Sequence, residues 1–137
     1  MAGASSGIGA ATERACTDAG MKCIITARLE DRLLQLAKEL GGTCIPIAGD
    51  VTGPGFNAHL IDQSNIIYAV FANAGHGLDQ RLIEFDAEQF KQLFDLNVFA
   101  AVELASLAAI QMVNKKEGHI LLCTSCLSKF SVPQNSA

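Results

Sequence analysis

Charge is scarce in this sequence: Asp, Glu, Lys and Arg make up 18% of its 137 residues, against about 25% in an average globular chain. Only ten residues are Lys or Arg and the net charge is −4, which argues against nucleic acid or an anionic membrane surface as partner, since both select clustered cations. The opening residues, Met1-Ala2-Gly3-Ala4-Ser5-Ser6, lack the basic region and apolar run of a signal peptide. The most apolar stretch, Val98 to Val113, is interrupted by Glu103, Ser106 and Gln111 and falls short of the ~20 residues that span a bilayer. Linkers, repeats and low-complexity segments are missing too, so residues 1–137 are expected to form a single domain. Cysteine is present but unpatterned: Cys16, Cys23, Cys44, Cys123 and Cys126 are odd in number and read as reduced thiols in a cytoplasmic core. Cys123-x-x-Cys126 has no second ligand pair for zinc, and it closes an apolar run instead of opening a helix as a redox pair would. No metal site is expected.

What the sequence has in abundance is apolar material. It accounts for 50% of residues, and for about 58% once glycine is counted and tyrosine set aside, above the usual ~45–50%. Such a chain has elements buried on several sides. Four nearly continuous apolar runs, Cys23–Ala27, Thr43–Ala48, Ile66–Ala72 and His119–Ser125, suit parallel strands covered on both faces. Helical patterns alternate with them. The first covers Gly7 to Ala19 and is ended by Gly20; the second carries Leu29, Leu33, Leu36, Ala37 and Leu40 and stops at Gly41-Gly42. A capping box at Asp86 and Gln89 opens a long helix over 87–113. Helices alternating with strands predict βαβ crossovers and an open parallel α/β sheet.

The long helix is apolar or small almost all round between Val98 and Met112. A helix covering one face of a sheet normally keeps a charged outer side. Either a second copy of the chain covers this one, giving a homo-oligomer, or a further helix of the same chain does.

Gly3-Ala4-Ser5-Ser6-Gly7-Ile8-Gly9 stands at the mouth of the first helix. Glycines there let backbone approach a pyrophosphate, and the helix N-terminus offers unpaired N–H groups with a favourable dipole. No Gly-Lys-Ser/Thr follows, so this is not a P-loop. Gly3-x-x-x-Gly7-x-Gly9 resembles the cofactor motif of the short-chain dehydrogenase/reductase family, simple branch, and four further family signatures follow in order. Gly49-Asp50-Val51-Thr52 resembles the segment that contacts the adenine ring. Asn73-Ala74-Gly75 is similar to the turn closing the strand beneath the cofactor. Asn97-Val98-Phe99 matches the tetrad asparagine of the long helix, and Ser125 stands where the catalytic serine does. The resemblance implies a doubly wound parallel sheet of Rossmann type, three-layer α/β/α. It also implies an oxidoreductase moving a hydride between a nicotinamide cofactor and a carbonyl or secondary alcohol of a small molecule. Cofactor contacts then fall to Gly3, Ser5, Ser6, Gly7, Ile8, Gly9, Asp50, Val51, Asn73, Ala74 and Gly75, with Asn97 and Ser125 as catalytic residues. Ala2 and Ala72 depart from the pattern, where the family carries Thr and Asn, and the stretch between Asp50 and Asn73 is short for its connecting helix.

Arg28 ends the second-strand run, 19 positions beyond Gly9. A carboxylate there would bond the ribose hydroxyls, whereas an arginine pairs with a 2′-phosphate, so NADP(H) is expected over NAD. The competing arrangement leaves Arg28 solvated and turns Glu30 or Asp31 towards the ribose.

The family's proton-transferring Tyr-x-x-x-Lys is not in this sequence. The one tyrosine, Tyr68, has Ala72 four residues on, and Lys129 has no phenol to serve. Counting from Ser125 or from Pro133, the resemblance puts the tyrosine at position 138 and the lysine at 142. By the same register, Met1-Ala2 is the end of a first strand lying between the 23–27 and 66–72 runs. The sheet is therefore expected to be incomplete and the chain an internal piece of an enzyme; the alternative is a truncated, non-catalytic module that binds nucleotide or pairs with relatives. His59 and His119 read as surface residues, and His76 as a loop residue beside the Asn-Ala-Gly turn.

Overall fold

The computed structural model describes residues 1–79 and 81–125; Cys126, Lys129 and Pro133 lie outside the described residues. The chain order is α1 (Gly7–Asp18), β1 (Cys23–Ala27), α2 (Glu30–Glu39), β2 (Cys44–Ala48), α3 (Phe56–Asp62), β3 (Ala69–Ala72), a 3-10 turn (Leu82–Glu84), α4 (Ala87–Phe94), a π-helical turn (Asp95–Phe99), α5 (Ala100–Lys115) and β4 (His119–Leu122). All four strand runs and all the helical patterns read from the sequence are present. The third helix is as short as its stretch implied.

Pairing is parallel throughout. β1 runs against β2 from Cys23↔Cys44 to Ala27↔Ala48, and β3 against β4 from Ala69↔His119 to Ala72↔Leu122. Parallel neighbours need a crossover, and α2 supplies the one between β1 and β2. The two ladders do not touch directly. Ala2 lies between them, bridged in parallel to Thr26 on one side and to Ala72 on the other. Its N–H donates to the Phe71 carbonyl at 3.0 Å and its carbonyl accepts from Asn73 at 3.3 Å, while the Met1 carbonyl accepts from Thr26 at 3.0 Å. The strand order is therefore β2-β1-Ala2-β3-β4, with the extended chain ending at Ala2 in the place the sequence assigned to it.

Two apolar clusters hold the layers. Ala4, Ala10, Ile25, Leu33, Leu36 and Cys44 join α1 and α2 to the β1–β2 ladder. Ala2, Val70, Ala72, Leu96, Ala100, Leu104, Ala108 and Met112 join the long helix to β3. The helix buries Leu93, Leu96, Ala100, Leu104, Ala108 and Met112, one face at three- and four-residue spacing. Asp86 caps it, accepting from Glu88 and Gln89 backbone N–H at 2.9 and 3.1 Å, and the Gln89 side chain returns a bond to Asp86.

Some expectations shift. The long helix extends to Lys115 and is broken by the π turn; taken as one run, Ala87–Lys115 is long and apolar enough to cross a membrane, with a mean hydropathy of 1.7 in its most apolar part. The interruptions at Glu103, Ser106 and Gln111 are too sparse to change that average. Leu29 is exposed because it precedes α2 as its cap residue and does not share the Leu33–Leu36 face. The runs 66–72 and 119–125 contain shorter strands than expected, and Ile120, Leu121 and Leu122 are half exposed. Of the other described strands only β3 pairs with β4, so one edge has no partner among the described residues.

Leu33 is fully buried and Leu34 is half exposed on the same helix. Leu33→Ala is expected to lower unfolding free energy by about 2–5 kcal/mol, through lost burial and a residual cavity, and Leu34→Ala by much less; paired denaturant titrations of the two variants check this.

Candidate functional site

Because every strand is parallel, the loops that follow them gather at one end of the sheet, where open α/β folds place ligands. The Gly3–Gly9 loop leaves Ala2 in the middle of that end and turns into α1. Gly3 has φ +75°, and a side chain on it would come within 2.8 Å of the Ala74 backbone; one on Gly9 would come within 2.1 Å of the Gly3 carbonyl oxygen. Both sites accept only glycine, Gly3 for conformation and contact together, Gly9 for contact alone. The Asn73 amide donates to the Gly3 carbonyl at 3.2 Å, so the Asn73-Ala74-Gly75 turn is packed under the loop as one unit. Ser6 occupies the cap position of α1, yet its side chain makes no capping bond, and the first turn holds no acidic residue. Ser6, Gly7 and Ile8 are exposed. The result is a helix N-terminus with open N–H groups and free approach, suited to an anion.

Arg28 follows β1 directly and is exposed. Asp50, after β2, accepts from the backbone N–H and hydroxyl of Thr52 at 2.9 and 2.8 Å. The backbone bond foremost, with help from the nearby Arg28 charge, holds its carboxyl below the usual value of 3.8. Val51 is buried against α5 in the larger core cluster. Arg28 and Asp50 thus stand together at the ends of neighbouring strands.

Asn97 sits inside the π turn. Its amide donates to the His76 carbonyl at 2.8 Å and its oxygen accepts the His76 N–H at 3.0 Å. This two-way clasp fixes the loop after Gly75, whose own Cβ position lies 3.0 Å from the Asn97 oxygen. π turns recur at functional positions of helices, and apolar periodicity gave no sign of this one. Ser125 follows β4 and is exposed, and its order in the chain puts it at the same end of the sheet. Tyr68 is elsewhere. It precedes β3, at the opposite end, where its ring packs edge-on to His119 and its hydroxyl lies 3.2 Å from the His119 ring nitrogen.

Ala2 and Ala72, the two departures from the motif, are bridge partners, both buried, beside a void of about 10 Å³. Two alanines here leave no side-chain hydroxyl or amide in need of a partner in this interior. Another position went unnoticed in the sequence. Glu13 is wholly buried on α1 with neither carboxylate oxygen hydrogen-bonded, and burial followed by the Glu13 charge pushes the Cys23 thiol up to about 12. Cys23 is therefore held as the thiol and not the nucleophilic thiolate. Among the described residues no three His, Cys, Asp or Glu side chains form a metal-ligating group.

All 137 residues match the family model described as short chain dehydrogenase. Short chain aldehyde dehydrogenase 1 of Euphorbia lathyris is 32% identical, over 97% of this chain and 49% of its own length. A solved short chain dehydrogenase/reductase family protein superposes with a TM-score of 0.93 at 29% identity, over 98% of this chain and 57% of that one. A metagenomic short-chain oxidoreductase crystallised in complex with NADP gives 0.90 at 26% identity, over 98% and 65%. The chain spans about half the length of the curated relatives it matches.

Gly9→Ala is expected to destabilise the chain by about 1–3 kcal/mol, the usual cost of overpacking, because the new methyl meets backbone. Gly77→Ala, where nothing lies within 4 Å, is expected to leave stability nearly unchanged. Thermal melts of the pair check this.

Proposed function

The chain belongs to the short chain dehydrogenase family, and we propose that it supplies the cofactor cradle and part of the catalytic site of an NADP(H)-dependent oxidoreductase acting on a carbonyl or secondary alcohol of a small molecule. The observation that carries this reading is the stacking of Gly9 on the Gly3 carbonyl, with Asn73 beneath it and the uncapped end of α1 above. A side chain at either glycine would collide with the loop or the turn beneath it, so the two glycines let the loop close tightly on that turn while the first-turn N–H groups of α1 stay open, an arrangement that fits a dinucleotide.

In this reading Gly3, Ser5, Ser6, Gly7, Ile8 and Gly9 hold the phosphates, through first-turn N–H groups and the two serine hydroxyls. Asp50 and Val51 border the adenine, and Asn73, Ala74 and Gly75 form the floor. Arg28 pairs with a ribose 2′-phosphate, its proximity to Asp50 keeping the guanidinium at the ends of β1 and β2. The nicotinamide, when bound, supplies or accepts the hydride. Ser125 orients the substrate oxygen by donating its hydroxyl proton to it. Asn97 fixes the His76 segment beside that oxygen, and the proton itself moves through a tyrosine–lysine pair that these 137 residues do not include. Free thiols at Cys16, Cys23, Cys44 and Cys123 support a reducing, cytoplasmic setting. The outer side of the long helix, with Phe99, Val102, Ile110 and Val113 exposed, supports a homo-oligomer built through residues 87–113.

The second reading is a non-catalytic nucleotide-binding or subunit-pairing module; Tyr68, engaged with His119 at the end of the sheet opposite the cradle, takes part in neither reading. Cofactor titrations with turnover assays separate the two: binding without turnover in every polypeptide that carries this sequence supports the module.

NADP+ is expected to bind more tightly than NAD+, and Arg28→Asp to reverse the order by placing a second carboxylate beside Asp50; fluorescence titrations of both cofactors check this, and equal affinities before and after the change remove Arg28 from the site. Val102→Glu is expected to shift the sedimentation coefficient from oligomer to monomer, and an unchanged value removes the helix from the interface.

A further inference from the structure

Asn57, the second residue of α3, is wholly buried, and acceptors crowd its amide nitrogen. Nδ2 donates to the Val51 carbonyl at 2.9 Å and to a Glu103 carboxylate oxygen at 2.6 Å, with the Ala100 carbonyl at 3.5 Å. Oδ1, by contrast, is buried without a partner among the described residues. These contacts fix the sense of the amide. Turned over, it would set an oxygen against three oxygens, whereas the –NH2 group has two hydrogens to give. An unpartnered buried oxygen is costly, and a leucine of similar size would avoid it. What only the amide supplies here is the donor.

The Val51 carbonyl and the Thr52 N–H belong to one planar peptide group. Asn57 holds its carbonyl end. Asp50 Oδ1 holds the other end, accepting the Thr52 N–H at 2.9 Å and the Thr52 hydroxyl at 2.8 Å. Both bonds engage Oδ1 and leave Oδ2 open on an exposed residue at the end of β2. The bearing of Asp50 is thus tied, through one peptide group, to a buried side chain on the next helix. We propose that Asn57 is a positioning residue for the adenine end of the dinucleotide, a role that rests on the reading of Asp50 and Val51 as the adenine border. By fixing the Val51–Thr52 peptide it aims Asp50 Oδ2 at the 6-amino group of the base, and Glu103 on α5 keeps the Asn57 amide in the sense that does so. Adenine carries a hydrogen-bond donor at that position. Hypoxanthine, the same ring system with an oxygen there, presents an acceptor that a carboxylate repels. The choice between NADP+ and its hypoxanthine analogue is therefore set by where Asp50 points, while the glycine loop and Arg28 hold both compounds alike.

Equilibrium titrations with NADP+ and with nicotinamide hypoxanthine dinucleotide phosphate test this. The unsubstituted protein is expected to prefer NADP+ by about tenfold, the counterpart of one hydrogen bond to a charged group. Asn57→Leu, which keeps the volume and removes the donor, is expected to bring the two affinities within about twofold while both compounds still bind. Glu103 is exposed, so the partner of the amide can be changed without opening the core, which keeps the test alive should Asn57→Leu fail to fold. Glu103→Lys presents a donor, turns the amide over and is expected to abolish the preference; Glu103→Gln retains an acceptor and is expected to keep it. A preference kept in Asn57→Leu or Glu103→Lys, a preference lost in Glu103→Gln, or an equal weakening of both compounds at an unchanged ratio would each overturn the proposal. Equal affinities in the unsubstituted protein would overturn it too, while leaving the dinucleotide cradle standing. Failure of the unsubstituted protein to bind either compound would remove the cradle itself, and the proposal with it.

Discussion

Everything in this structure hangs on one residue's backbone. Ala2 is hydrogen-bonded into β3 and bridged to both β1 and β3, and no ladder connects those two strands directly. It performs two tasks through geometry alone. It sets the relative height of the two ladders, and it delivers the chain to Gly3 at the point where the strand ends converge. The loop is therefore positioned by the junction that Ala2 makes between the two ladders, and loop precision and sheet integrity are coupled.

The parts of this arrangement that were readable in advance are those governed by local pattern. Continuous β-branched runs announced the strands, and Asp86 with Gln89 announced the start of the long helix, because both signals arise within a few residues. The glycines of the loop were readable because their roles are steric. The π turn at Asn97 was not readable, since its extra residue is stabilised by the His76 clasp, a contact between residues far apart in the chain. Glu13 was missed for a similar reason. A glutamate on an amphipathic helix looks solvated until the thiols and strand packed over it are in place.

The proposed cradle is shaped by restraint on side chains. Gly3, Gly9 and Gly75 matter because backbone or amide atoms occupy the space a methyl would need, and Asn73 and Asn97 matter because they tie loops to one another. The groups assigned direct chemistry, Arg28, Asp50 and Ser125, are exposed at strand ends and are held by the strands they follow. Rigid backbone thus surrounds a few accessible polar tips, the division of labour expected where orientation matters more than strength of binding.

The π turn has a mechanical corollary. An extra residue in one turn rotates everything after it by about 100° relative to an unbroken α-helix. α5 buries Ala100, Leu104 and Ala108 with that rotation already made in the five residues before it, around Asn97. The turn is a phase adjuster shared by two surfaces: it aims one amide at the loop and simultaneously dials the outer side of α5 to its bearing. A single-residue deletion between 95 and 99 would therefore misalign the clasp and the exposed stripe together, and natural insertions or deletions should avoid this short interval even where the surrounding residues vary freely.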